Sequence, residues 1–296
     1  MKDFSLDIYR ELLESLQKAG YELISYAEYI KTPPRHLFYE CPPDIQSGKA
    51  LHPSREEMKF VILRHDVDKK PENSLRIAQI EHSIGARATY YFRTPESGCY
   101  DQQGIQAGSY KNQLSLPDAI RAIAKLGHEI GYHYEDMSLC HGDVEKAYMH
   151  FETWLEYFRR FYAVETICMH GAPTSKWDGK DLWKRYDYRK LGIIGEPYMD
   201  TDFSDVFYLT DTGRCWDGYK VSVRDKIPAY QDQWSAQGLT WHTTQQLIKA
   251  VEAGKMPLHV MITSHPQRWT NRRFEWYREL ILQNMKNCIK KIWIRN

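Results

Sequence analysis

The stretch Phe60-Val61-Ile62-Leu63-Arg64-His65-Asp66-Val67-Asp68 decides the fold. Four consecutive apolar residues are too few for a buried helix and are not alternated as in a half-exposed strand. They read as a strand buried on both faces, which is the habit of parallel sheets. The same pattern recurs downstream: Ala88-Thr89-Tyr90-Tyr91-Phe92, Glu129-Ile130-Gly131-Tyr132-His133, Thr166-Ile167-Cys168-Met169, Gly192-Ile193-Ile194, Val206-Phe207-Tyr208-Leu209 and His259-Val260-Met261-Ile262. Helical stretches lie between them. Pro71 opens one that runs to about Gly85, and others are expected over 117–126, 178–190 and 243–252. Asp143 can cap a long helix with Ala147, Phe151, Leu155 and Phe158 on one face. Seven strands alternating with helices predict an α/β fold, a (β/α)7 barrel of parallel strands in preference to an open doubly wound sheet.

Upstream, Ile8, Leu12, Leu13 and Leu16 mark a helix that Gly20 stops, followed by the extended piece Tyr21-Glu22-Leu23-Ile24. Residues 31–57 are rich in Pro and charge and read as an irregular connection. This divides the chain into an N-terminal helical extension over 1–58 and a barrel over 59–296. Charged residues make up 27% and apolar ones 42%, which excludes a disordered chain, a collagen-like repeat and a coiled coil. The net charge of +1 gives no global bias toward nucleic acid or an anionic membrane. No apolar run approaches the roughly 20 residues of a membrane span. The opening MKDFSLDIYRELLESL is an acidic amphipathic helix with no visible signal peptide. Six scattered cysteines without a CxxC read as free thiols, so the cytoplasm is the expected compartment.

In parallel barrels the reacting groups sit where strands end. Five of the strand ends carry Asp or His: Asp66 and Asp68, His133, His170, Asp211, and His265. Any one of these can be a turn or a packed side chain. Burying several carboxylates and imidazoles together costs several kcal/mol unless a cation or partner satisfies them, and a divalent metal is the economical solution. Residues two apart on an extended segment point the same way, so Asp66 and Asp68 both face the mouth, about 6 to 7 Å apart at the backbone. One can hold a metal while the other takes a proton from water.

Three motifs, Leu63-Arg64-His65-Asp66-Val67-Asp68, Gly127-His128-Glu129-Ile130-Gly131-Tyr132-His133 and Ile262-Thr263-Ser264-His265-Pro266, come in this order on these strands. Over residues 59 to 270 the sequence resembles the polysaccharide deacetylases, the NodB-homology carbohydrate esterases, in an HDVD variant. The resemblance implies an irregular (β/α)7 barrel and a divalent metal, most often Zn2+, used to remove acetyl groups from N-acetylated sugars. It implies Asp66 as general base, Asp68 and His133 as metal ligands, His265 as general acid and Asp211 as the carboxylate beside it. It also implies a glycan or small-molecule substrate, in keeping with surface polysaccharide biosynthesis.

Two positions depart from the family pattern. The second metal histidine usually follows the first by four residues, where this chain has Met137, and a thioether is a poor zinc ligand. The third motif usually brings an arginine that steadies the base, where this chain reads Met169-His170-Gly171. His170 is expected as the third ligand, with His141 and Glu135 as alternatives. Other readings stay open: an amidohydrolase of non-sugar amides, or a non-catalytic carbohydrate-binding relative. Tyr90, Tyr91, Tyr132, Tyr134, Tyr198 and Trp269 lie near strand ends, where rings either stack on sugars or fill the core.

Overall fold

A computed structural model describes residues 2–32, 58–94, 114–171, 175–220, 222 and 225–295. The chain begins with α1 (Leu6–Lys18), whose first turn is capped by the Ser5 hydroxyl and whose Ile8, Leu12, Leu13 and Leu16 are buried. Then come β1 (Glu22–Ile24), α2 (Tyr26–Lys31), β2 (Phe60–Val67), α3 (Pro71–Ser83) and β3 (Thr89–Phe92). They are followed by α4 (Leu116–Lys125), β4 (Glu129–Tyr134), α5 (Asp136–Leu139), α6 (Val144–Arg159) and β5 (Ile167–Met169). The chain closes with α7 (Pro197–Asp200), β6 (Phe207–Thr210), α8 (Pro228–Ala236), α9 (Thr244–Glu252), β7 (His259–Ser264) and α10 (Arg273–Arg295). Most of the connection expected over 31–57 lies outside the described residues.

Every strand pairing is parallel, and the sheet runs β5-β4-β3-β2-β7-β6. All eight residues of β2 are buried, as a strand covered on both faces requires. The sheet curls into a half-barrel wrapped by helices, an irregular (β/α) barrel. One edge of β2 is paired with β7 from Phe60↔His259 to His65↔Ser264. The other edge is shared: β1 pairs with Phe60–Ile62, and β3 pairs with Arg64–Val67. The N-terminal stretch therefore supplies a strand to the sheet as well as helices.

The fifth expected strand, Gly192–Ile194, does not form. A 3-10 helix over Tyr188–Leu191 ends on Gly192 at φ +74°, and only a one-residue bridge, Thr166↔Gly195, lies beside β5. The Glu196 carboxylate then occupies the place of a neighbouring strand's carbonyl, accepting from the Met169 amide at 2.8 Å. Burial pushes this carboxyl up to about 7. The helix expected over 178–190 is likewise two short 3-10 helices, Gly179–Lys184 and Tyr188–Leu191, capped by Asp178 and Asp187. The barrel is irregular here because side chains and tight turns stand in for a strand.

The core is one cluster between sheet and helices, with Tyr132 on Phe151 and Phe158, and Trp269 against Phe4 and Tyr9. Gly131, the second glycine of GHEIGYH, sits where an added Cβ would collide with the Tyr91 ring. That close approach accounts for a glycine inside a strand. Cys140, Cys168 and Cys215 are free thiols, and Cys41 and Cys99 lie outside the described residues.

Candidate metal centre

The end of β2 divides its side chains by the period of two. His65 turns to the helix side, with Nδ1 at 2.7 Å from the Ser264 hydroxyl and Nε2 at 2.6 Å from Glu81. Tyr9 and Tyr90 also donate to Glu81, so this polar network is structural and sealed under α1 and α3. Arg64, Asp66 and Asp68 turn to the mouth.

Arg64 is fully buried and grips Asp66 with a two-pronged ion pair, Nε to Oδ1 at 2.9 Å and Nη2 to Oδ2 at 2.8 Å. Burial opposes the Asp66 charge, but Arg64, with His133 and His265, outweighs it and holds the carboxyl below its ordinary range. Each carboxylate oxygen keeps a second lone pair for another donor.

Asp68 is bound differently. Its Oδ2 accepts from Gln267 at 3.1 Å, while its Oδ1 is buried without any hydrogen-bond partner among the described residues. Two imidazole nitrogens face that bare oxygen: His133 Nε2 at 3.8 Å and His170 Nε2 at 3.6 Å. His133 comes from β4 and His170 from the turn after β5, where its amide bonds to the Tyr134 carbonyl at 2.8 Å. Burial is the main force lowering His133, to about 4, so its ring is neutral near pH 7. Its Nδ1–H donates to the Cys168 carbonyl at 2.9 Å, which leaves the Nε2 lone pair toward Asp68. His170 Nδ1 faces Glu135 Oε2 at 2.9 Å, leaving its Nε2 free in the same way. Glu135 is in turn clamped by Arg93, whose Nε donates at 3.1 Å.

One carboxylate oxygen and two imidazole nitrogens converge within 4.8 Å of one another. Ligands about 2.0–2.2 Å from a zinc ion in tetrahedral arrangement stand roughly 3.3–3.6 Å apart, close to the separations here. The donor set, the orphaned oxygen and the backing of each imidazole by a carbonyl or carboxylate suit a divalent cation. His133 Nε2 is also 3.7 Å from Asp66 Oδ2, and the Cys168 thiol lies close by. Burial pushes that thiol well above its ordinary value.

The other expected residues divide between the surroundings of this cluster and positions apart from it. His141 meets the Trp177 ring edge-on and takes no part in it, and Glu135 stands behind His170. Met137 is packed in the core. His265 Nδ1 is 2.6 Å from Asp211 Oδ1, and its amide donates to Oδ2 at 3.0 Å. Asp211 also accepts from Arg268 at 2.6 Å and from the Trp269 indole at 2.8 Å. Burial and Arg268 press His265 down, yet the charge and hydrogen bond of Asp211, with Asp68 behind them, raise it above 6.5.

Sequence reading missed the grip of Arg64 on Asp66, though the same i, i+2 rule that pairs the aspartates reaches it. Arg93, Gln267 and Arg268 carried no signal. The aromatic residues resolve mostly to core: Tyr90, Tyr91, Tyr132, Tyr134 and Trp269 are buried. Tyr198 is half-buried and reaches the site, its hydroxyl accepting from Arg64 at 3.2 Å and donating to Asp225 at 3.1 Å.

No family model matches the chain, and no curated protein matches it. Among solved structures, a mutant of a CE4 family pseudoenzyme is similar, with a TM-score of 0.37 and 11% identity, covering 82% of this chain and 67% of that one. A likeness that distant carries no argument about the site. Among the described residues, no helix is long and apolar enough to cross a membrane.

Proposed function

We propose that this chain is a metal-dependent deacetylase that hydrolyses the N-acetyl group of an amino sugar. The observation that carries the reading is the bare, buried Asp68 Oδ1 faced by the Nε2 atoms of His133 and His170. These three residues would hold a divalent cation, with Zn2+ the best match to a set of two nitrogens and one oxygen. When bound, such an ion acts as a Lewis acid on an amide carbonyl and makes a water acidic near neutral pH.

The chain's own residues supply the proton transfers. Asp66 takes the proton of the attacking water, and Arg64 keeps it ionised and aimed. As the C–O bond forms and the C–N bond breaks, His265 gives its Nε2 proton to the departing nitrogen, since an amide anion is too basic to leave. Asp211 holds Nδ1 and fixes the ring. The products are acetate and a free amino sugar. The resemblance in sequence adds the sugar class, and a short glycan precursor of surface polysaccharide biosynthesis suits the compartment expected from the sequence.

The test is elemental analysis of the purified chain, followed by a panel of N-acetylated sugars and linear amides scored for new primary amine. Bound divalent metal and amine release from the sugars support the proposal, and loss of both in His170→Ala but not His141→Ala supports the ligand set. Release from linear amides alone makes the protein an amidohydrolase of another class. A chain that takes up no metal overturns the reading.

A further inference from the structure

The C-terminal helix α10 has two apolar sides. One faces the barrel: Trp276 donates its indole proton to the Asp3 carbonyl at 2.6 Å, and Asn287 donates to the Gly213 carbonyl at 2.9 Å. The other is open. Phe274, Tyr277, Ile281, Leu282 and Met285 form an exposed stripe at helical spacing, with Phe274 81% and Met285 58% accessible. Large apolar side chains gathered on one exposed face of a folded chain mark an interaction surface.

The charges on α10 are sorted between the same two sides. Its acids are turned inward and neutralised: Glu279 pairs with Lys70 at 3.0 Å, and Glu275 takes Arg272 at 3.0 Å and the Thr270 hydroxyl at 3.1 Å. Its cations Arg273, Arg278 and Lys286 are exposed, with no ion pair among the described residues. Lys2 adds a fourth, its ammonium 4.4 Å from the centre of the Tyr277 ring. By sequence, residues 273–295 hold six cations against two acids, in a chain whose net charge is +1. Neutrality of the whole therefore conceals one cationic, apolar face.

From this we infer that the outer face of α10 binds an anionic lipid surface, with its apolar side chains in the headgroup boundary and its cations on the lipid phosphates. Apolar residues flanked by unpaired cations are the composition of helices that lie in a membrane interface. A second copy of the chain fits less well, because stacking this face on itself brings cation against cation. The helix is also tied to the loops after β2 and β6, through Lys70 and through Gly213. Those loops stand at the same end of the sheet as Asp68 and His265, so a docked molecule would hold the mouth near the membrane plane. The inference does not depend on deacetylase activity.

The experiment is co-sedimentation of the full chain with vesicles of phosphatidylcholine alone and of phosphatidylcholine mixed with phosphatidylglycerol. Binding to the anionic vesicles only, weakened by salt, is expected. The triple variant Arg273→Gln, Arg278→Gln, Lys286→Gln is expected to lower partition roughly a hundredfold. The triple variant Phe274→Ser, Ile281→Ser, Met285→Ser is expected to abolish it, with metal uptake unchanged in both. Equal binding to both vesicles, or binding to neither, overturns the inference. So does a dimer in sedimentation velocity that the serine variant dissolves, which would make this face a contact between copies.

Discussion

Glu135→Gln separates a ligand from the group that holds a ligand. The substituted amide still accepts from His170 Nδ1 but removes the negative charge and presents an NH2 to Arg93. Burial works against the Glu135 charge, but the hydrogen bond and charge of His170, with Arg93, pull the carboxyl from 4.5 to about 2. That difference corresponds to about 3 kcal/mol of stabilisation by the ionised form. A depressed carboxyl contributes this fully above 4.5 and loses it as the pH falls through 2. At pH 7 an imidazole that offers its Nε2 lone pair is uncharged and the hydrogen bond and Arg93 remain, so the variant is expected to lose less than about 3 kcal/mol, under roughly 6 °C in Tm for a chain of this size. The gap to wild type should narrow as the pH is lowered below 4.5.

The effect on metal follows from the same contact. Loss of a carboxylate behind a ligating imidazole typically weakens affinity by about 10–100-fold. Removing the imidazole itself, as in His170→Ala, should weaken it further. Zn2+ competition titrations against a chelator measure both, and calorimetry across pH measures stability. If Glu135→Gln costs more affinity than His170→Ala, Glu135 is the ligand and the geometry has been misread. If it costs none while the protein stays folded, the hydrogen bond to His170 does not matter to the site.

Two further outcomes concern the proton-transfer groups. The raised His265 contributes stability that is full below 6.5 and lost as the pH rises through its folded value. Asp211→Asn removes the charge that keeps it raised, so the alkaline limb of kcat/KM should move to lower pH, with a larger loss at pH 8 than at pH 6. An unmoved limb excludes His265 as the acid. Arg64→Met leaves Asp66 buried and unpaired, which should cost about 3–5 kcal/mol in urea unfolding. Adding Asp66→Asn should restore much of that stability without restoring activity. A single Arg64→Met variant as stable as wild type would show that the pair is not holding the strand end.

The fold was legible where burial alone decides it. The apolar runs at Phe60–Leu63 and His259–Ile262 are long enough to name themselves as doubly covered strands, and they form the centre of the sheet. β1 was visible only as an extended piece, because three residues alternating in exposure acquire their meaning from the edge of β2 they pair with. Gly192-Ile193-Ile194 had the composition of a strand and lost to its neighbours. A left-handed glycine ends the preceding turn, and a buried glutamate satisfies the edge of β5 more locally than a strand would. Local propensity yields to such tertiary bonds, which no window of sequence contains.

At the site, legibility followed the backbone period. Spacing placed Asp66 and Asp68 on one side and could not say how they differ, since both are aspartates at the end of one strand. Their partners make the difference. Arg64, two residues earlier on that side, commits both oxygens of Asp66 to a rigid fork. Asp68 meets Gln267 on one oxygen and, among the described residues, no hydrogen-bond donor on the other. A carboxylate held ionised in a fork suits proton transfer, and one with a bare oxygen facing two imidazole lone pairs suits a cation. The arginine that steadies the first thus comes from its own strand, and the turn after β5 presents His170 to the second.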